Sequence, residues 1–167
     1  MRSKVLIVMG SDSDFPIMKA CIHTLVGFGV TYEAKICSAH RTPDQAIQLA
    51  RGAAEQGFGV IIAAAGLAAH LPGILSACTT LPVIGVPIKT GALAGIDALY
   101  SIVQMPSGIP VATVAIDGAE NAAILAAEIL ALQDERLARM LLDHKTKMTE
   151  SVQTRQKNLE AKLNDLH

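Results

Sequence analysis

The sequence predicts an α/β protein: a three-layer α/β/α sandwich around a doubly wound parallel sheet, with a C-terminal helical extension. Three observations carry this expectation. Five short apolar runs, KVLIVM (4–9), TYEAKIC (31–37), VIIAAA (60–65), PVIGV (82–86) and VATVAI (111–116), alternate with segments of helical spacing or Ala-rich helical composition. Hydrophobic residues make up 51 % of the chain and aromatic ones only 3 %, so the core has to be built from Val, Ile, Leu and Ala. That palette suits buried parallel strands under Ala-rich helices. Finally, 167 residues are enough to bury one sizeable core and few for two.

Taken in order, the first run is nearly all apolar, as a strand covered on both faces should be. It runs through MGSDSDFP into a helix expected over 15–27. The second run alternates more and reads as a sheet edge, followed by SAHRTPD and a helix over 43–56. The third passes through AAAGLAAHLPG to a helix near 71–78. The fourth leads into PIKTGALAG, a Gly/Ala-rich stretch that is either a flexible cover or a helix entry, before a helix near 95–103. The fifth, apolar like the first and third, is expected to be central as well, with a helix over 119–132 behind it. Right-handed crossovers and a flavodoxin-like strand order 2-1-3-4-5 place a ligand outside the carboxyl ends of strands one and three.

From residue 134 the composition turns charged and polar, with Leu137, Leu141, Met148, Val152, Leu159 and Leu163 on one helical stripe. The expected organisation is therefore a catalytic sandwich over 1–135 and an extension over 136–167. Part of that extension is expected to pack on a neighbouring subunit, and a frayed terminal helix is the alternative for the residues after 152.

A formal net charge of −1 and a pI near 6.5 offer no polyanion-binding or membrane-seeking surface, so neither nucleic acid nor membrane is an expected partner. Cys21, Cys37 and Cys78 are odd in number, widely spaced and without a CxxC, which argues against a disulfide framework or zinc knuckle and for small core residues. The VLIVM run after Arg2 and Lys4 meets Gly10 too soon for a signal segment or membrane span, which makes the cytoplasm the expected compartment.

Chemistry concentrates in three loops. Gly10, Ser11, Asp12, Ser13 and Asp14 offer a tight turn, hydroxyls and a helix N-terminus where an anion could sit. On this stretch alone a simply capped helix is the better reading, its spacing being neither GxGxxG nor a Walker loop, and an Asp12/Asp14 metal pair is discounted. Ser38, His40 and Arg41 put a hydroxyl, an imidazole and a phosphate-binding fork on one strand-to-helix turn, the combination of an anion anchor with a proton shuttle. The stretch 63–73 carries only His70 as a polar side chain and otherwise offers methyls and backbone to a flat uncharged ring. His70 itself reads as structural or functional with equal weight. His23, among Cys21, Ile22 and Leu25, is expected to be structural, and His144 and His167 belong to the charged tail.

VMGSDSD, SAHRTP, AAHLPG, PVIGVP and YSIVQMPSGIPVATVAI, in this order, resemble the class I PurE family, the N5-carboxyaminoimidazole ribonucleotide mutases of bacterial purine synthesis. The likeness extends over roughly residues 4–140. It implies transfer of a carboxylate from the exocyclic nitrogen to ring carbon C4 of a ribonucleotide, without cofactor or metal. It also implies a homo-octamer with sites at subunit junctions. By the same resemblance Ser11 and Arg41, helped by Ser38 and flanked by Gly10 and Ala39, meet the phosphate, and Asp14 meets the ribose. His40 is the general acid/base, and Gly66 to Leu71, with Ala69 and His70, wall the base and carboxylate. A related class II branch, which carboxylates aminoimidazole ribonucleotide with free CO2, differs at the counterparts of Arg41 and His70, so Arg41, Pro43 and His70 align this chain with class I. Leu67 stands where many relatives have Gly. A flavodoxin-like binding module is the remaining alternative, disfavoured because Phe15, Phe28, Phe58, Tyr32 and Tyr100 are too few and too scattered to stack a flavin.

Overall fold

The computed structural model describes residues 3–164 and 166; of the residues named above, Arg2 and His167 lie outside the described set. Five parallel strands, β1 (Lys4–Met9), β2 (Tyr32–Ile36), β3 (Phe58–Gly66), β4 (Val83–Ile88) and β5 (Ala112–Thr113), form one sheet in the order β2-β1-β3-β4-β5. The helices are α1 (Phe15–Gly27), α2 (Pro43–Ala53), α3 (Leu71–Ala77), α4 (Ile96–Val103), α5 (Ala119–Ala131) and α6 (Glu135–Asn164). The fold is the flavodoxin-like α/β sandwich.

Strand alternation divides the core into two layers. Val5, Ile7, Val60, Ile62 and Ala64 face α1, α5 and the start of α6, while Leu6, Val8, Ile61, Ala63 and Ala65 face α2, α3 and α4. Because both faces are covered, β1 after Lys4 and β3 throughout are apolar, the pattern that made them legible. On α5 the buried stripe consists of Ala119, Ala122, Ala123, Ala126 and Ala127. Methyl-sized side chains let that helix lie close on the sheet, and this is how a core with few rings fills its volume.

The fifth run departs from expectation. It is an edge strand of two residues, with Ala112 exposed and Thr113, Val114 and Ile116 half-buried. The reason lies in β4. Gly85 and Pro87 turn their carbonyls toward β5, accepting from Val114 N–H (3.1 Å) and Asp117 N–H (2.8 Å), but Pro87 has no N–H to give back, so the ladder stops after Gly85↔Thr113. The apolarity of this run serves packing against α4 and α5 rather than a central place in the sheet. His23 also departs from expectation: it lies on the solvent side of α1, one residue off the buried face of Met18, Cys21 and Leu25.

The first two turns of α6 belong to the domain core through Leu137 and Leu141. Phe28 packs edge-on against His144, and Lys145 Nζ meets Glu128 Oε1 at 3.2 Å. Beyond these contacts Met148, Val152, Leu159 and Leu163 remain about half exposed on a helix that continues away from the sandwich.

Candidate active site

In the order β2-β1-β3, the chain leaves β1 toward β2 on one side and reaches β3 on the other. The loops beyond these three carboxyl ends therefore splay apart and open a crevice. A pocket of about 420 Å³ lies there. Gly10, Ser11, Ser13 and Asp14 line it from β1, and Ser38, Ala39, His40 and Arg41 from β2. Ala65, Gly66, Leu67, Ala68, His70 and Leu71 line it from β3, and Thr90 from β4.

The β1 loop is fixed by a reciprocal capping box. Ser11 Oγ accepts from Ser13 N–H (3.3 Å), and Asp14 Oδ2 accepts from Ser11 N–H (3.1 Å). Asp14 is only 6 % exposed. Burial pushes its carboxyl above the ordinary 3.8, against the pull of the Ser11 and Gly10 backbone hydrogen bonds. A buried carboxylate at a pocket wall retains acceptor capacity for a ligand hydroxyl. Asp12, by contrast, is exposed and accepts from Ser11 Oγ (3.0 Å). Among the described residues no three His, Cys, Asp or Glu side chains are grouped as metal ligands.

The β2 loop is held by Thr42, which none of the sequence arguments singled out. Its Oγ1 donates to Ser38 O (3.0 Å) and accepts from Ser38 N–H (3.1 Å), closing residues 38–42 into a tight turn. Cys37 N–H donates to Met9 O (2.8 Å), which fastens this turn to the β1 exit. Arg41 bridges the same two loops: its Nε and N–H donate to Ser38 Oγ (3.4 and 3.2 Å), and Nη2 donates to Gly10 O (3.1 Å). The guanidinium is thus oriented before any anion arrives.

The β3 loop delivers His70 as the N-cap of α3, with Ile74 N–H on its carbonyl (3.0 Å). Its ring Nδ1 stands 2.6 Å from His40 Nε2, the two rings crossing edge to face at 81°. The two exposed imidazoles share one hydrogen bond, so one donates and the other accepts. Ala69 does not join the lining as expected: it is 1 % exposed and sits in the α2–α3–α4 core layer, and Ala68 takes its place in the wall. Thr90 was missed as a lining residue because its place depends on how the β4 loop folds toward the β3 loop; only the Gly-rich composition after β4 hinted at a cover there.

A second cleft, of about 570 Å³, lies at the opposite end of the sheet. Among the described residues its one cation, Arg136, is already engaged with Phe28 O, Met140 Sδ and Asp134. Burial pushes the Cys21 thiol up to about 12, which leaves it an inert core residue.

Comparison with known proteins agrees with this geometry. The AIR carboxylase family model matches residues 4–151, extending into α6 beyond residue 140, where the sequence resemblance was expected to end. A Pyrococcus horikoshii protein named N5-carboxyaminoimidazole ribonucleotide mutase is 60 % identical over 148 residues, 86 % of this chain and 84 % of that one. A Thermotoga maritima protein of the same name is 54 % identical over 157 residues, 94 % and 92 % of the two chains. Among solved structures, Treponema denticola PurE superposes with a TM-score of 0.79 at 30 % identity, covering 89 % of this chain and 92 % of its own. A PurE2 variant from the same organism superposes with a TM-score of 0.85 at 29 % identity, covering 95 % and 99 %.

Proposed function

Because the chain belongs to the AIR carboxylase family, we propose that it is an N5-carboxyaminoimidazole ribonucleotide mutase, an isomerase of de novo purine synthesis. The single observation that carries the chemistry is the His40–His70 pair, 2.6 Å apart beside a preoriented Arg41. A ribonucleotide needs an anion hook, a ribose acceptor, a flat apolar slot and a proton carrier, and the pocket holds candidates for all four. Arg41 with Ser11 and Ser38 takes the phosphate and Asp14 the ribose hydroxyls. Gly66, Ala68 and Leu71 take the ring, and His40 carries the proton.

The reaction is stepwise. Protonated His40 gives its proton to the exocyclic nitrogen as the N–C bond to the carboxylate breaks. That bond's electron pair stays on nitrogen, and CO2 is left beside the ring. C4 attacks CO2 to form the new C–C bond, and neutral His40 takes the C4 proton, so the enzyme ends as it began. His70, as the hydrogen-bond partner, holds the His40 ring in place and supplies a second site on which the proton can rest.

Two finer features belong to this reading. A homo-octamer with sites at subunit junctions is supported by the exposed apolar side chains Leu93, Ile96, Tyr100 and Val103 and by the distal stripe of α6. Within it, 1–135 form the catalytic sandwich and 136–167 an extension rooted in the core by Leu137 and Leu141. A cytoplasmic location suits the free thiols Cys21, Cys37 and Cys78. No described helix is long and apolar enough to cross a membrane.

The test is to supply the purified chain with N5-carboxyaminoimidazole ribonucleotide and, separately, with aminoimidazole ribonucleotide and bicarbonate. Conversion of the first to 4-carboxy-5-aminoimidazole ribonucleotide supports the mutase. Efficient product from the second alone assigns the CO2-dependent carboxylase instead.

A further inference from the structure

The loops after β3 and β4 interlock at the mouth of the pocket. The two strands stay paired to Gly66↔Ile88, and just beyond, their side chains interleave. Gly66 has no side chain where Thr90 Cγ2 enters, and a Cβ there would overlap it. One residue on, the relation reverses: Leu67 supplies the side chain and Gly91 the space, for a Cβ on Gly91 would stand 2.6 Å from Leu67 Cδ2.

Both residues have left-handed backbones, Gly91 at φ 66 and Leu67 at φ 53. Glycine adopts this freely, whereas leucine crowds its own Cβ. Leu67 is also 53 % exposed, so neither backbone preference nor core burial accounts for a leucine here. What the side chain does is wedge into the space that Gly91 leaves open. On the other side the same segment is tied to the β5 exit: Asp117, itself at φ 57, accepts from Lys89 N–H through Oδ1 at 2.8 Å and donates its own N–H to Pro87 O at 2.8 Å. Thr90 stands between these two ties and lines the pocket with His40 and His70.

We propose that Leu67 is a positioning residue: its side chain pins residues 89–95 to the β3 exit, so that Thr90 closes the pocket on its β4 side and retains the CO2 formed between the two half-reactions. The proposal rests on the mutase reading. CO2 carries no charge for Arg41 to hold, so only walls retain it, and an open wall ends the cycle at aminoimidazole ribonucleotide.

Leu67→Gly and Leu67→Met in the full chain test this. Glycine relaxes the φ 53 backbone while removing the wedge, so a loss of function cannot be ascribed to added strain; methionine keeps a side chain of similar reach. Two quantities are read: hydrogen exchange of peptides covering 89–95, and the single-turnover partition of N5-carboxyaminoimidazole ribonucleotide between carboxylated product and aminoimidazole ribonucleotide. The expectation for Leu67→Gly is about tenfold faster exchange in 89–95 and a several-fold larger share lost as aminoimidazole ribonucleotide, with nucleotide affinity held within about threefold. Leu67→Met should match the parent in all three. Unchanged exchange in the glycine variant overturns the wedge, and faster exchange with an unchanged partition overturns its role in retaining CO2. A parent chain that fails to rearrange the substrate overturns the mutase reading and the CO2 role with it, and the exchange comparison then decides the wedge alone.

Discussion

His40 and His70, thirty residues apart in sequence, share a hydrogen bond of 2.6 Å between Nε2 and Nδ1. Two strands deliver them: β2 ends at the turn that Thr42 closes around His40, and β3 ends at the α3 N-cap that carries His70. With Nε2 engaged by His70, the direction of the His40 ring is set by a neighbour rather than by solvent. Neither histidine on its own explains the site.

Replacing His40 by Asn is expected to leave nucleotide binding near normal, since Arg41, Ser38 and Asp14 form their contacts without it, while turnover falls by about 10,000-fold because one residue serves both proton transfers. Binding and single-turnover rate measured on the same variant check this. A near-normal rate at saturation would remove His40 from the chemistry.

For His70→Asn the expected loss is smaller, about 10- to 100-fold in turnover, because the shuttle remains but its ring is no longer held. The readout that distinguishes positioning from plain packing is rescue: His70→Gln, whose longer amide can still hydrogen-bond His40 Nε2, should recover part of the loss. A Gln variant as slow as the Asn variant would assign His70 a packing role only.

Arg41→Lys should weaken nucleotide binding by about 10- to 100-fold with a smaller effect on the saturated rate. Lysine keeps the charge but cannot reproduce the contacts from Nε to Ser38 and from Nη2 to Gly10 that aim the fork. Titration calorimetry with the nucleotide decides it, and an unchanged Kd would take Arg41 out of the phosphate site.

Asp14 gives a pH signature. Its folded-state carboxyl is raised above 3.8, chiefly by burial, so the folded protein holds this proton more tightly than the unfolded chain. The penalty for ionising it in the fold is absent below the unfolded value, grows as pH rises through the raised folded value, and is full at neutrality. Asp14→Asn, whose amide oxygen can still accept from Ser11 N–H, should therefore raise Tm at pH 7 and lose that advantage as the pH drops below 3.8. The same variant should bind the ribonucleotide about tenfold more weakly, a neutral amide being the poorer acceptor for ribose hydroxyls. Thermal melts at both pH values, with one binding isotherm, check both halves.

Ending the chain after Lys147 keeps Leu137, Leu141, His144 and the Lys145–Glu128 pair but removes Val152, Leu159 and Leu163. If the distal stripe packs on a neighbouring subunit, this variant should fold with a Tm close to the parent at high concentration yet sediment as a smaller species. Parent-like sedimentation would leave the stripe without that role. A cut near residue 135 would be uninformative, since it removes two core leucines.

The sequence by itself determined the layered sheet, because strands buried on both faces must be apolar throughout and helices over them must carry one apolar stripe. Runs such as VLIVM and VIIAAA, and the Ala stripe of α5, could belong to little else. It also marked Ser11, Asp14, His40 and Arg41, since hydroxyls, a carboxylate, an imidazole and a guanidinium on loops at strand exits stand out in so apolar a chain. Tertiary structure alone decided the rest, and the physical reason is that pairing distances are not properties of a local segment. The 2.6 Å approach of His70 to His40 depends on β1 lying between β2 and β3. The exclusion of Ala69 from the pocket depends on which way one short turn faces, and the early end of β5 on a missing N–H of Pro87 in the neighbouring strand. The meeting of Leu67 with Gly91 joins two loops, neither of whose sequences carries any sign of the other.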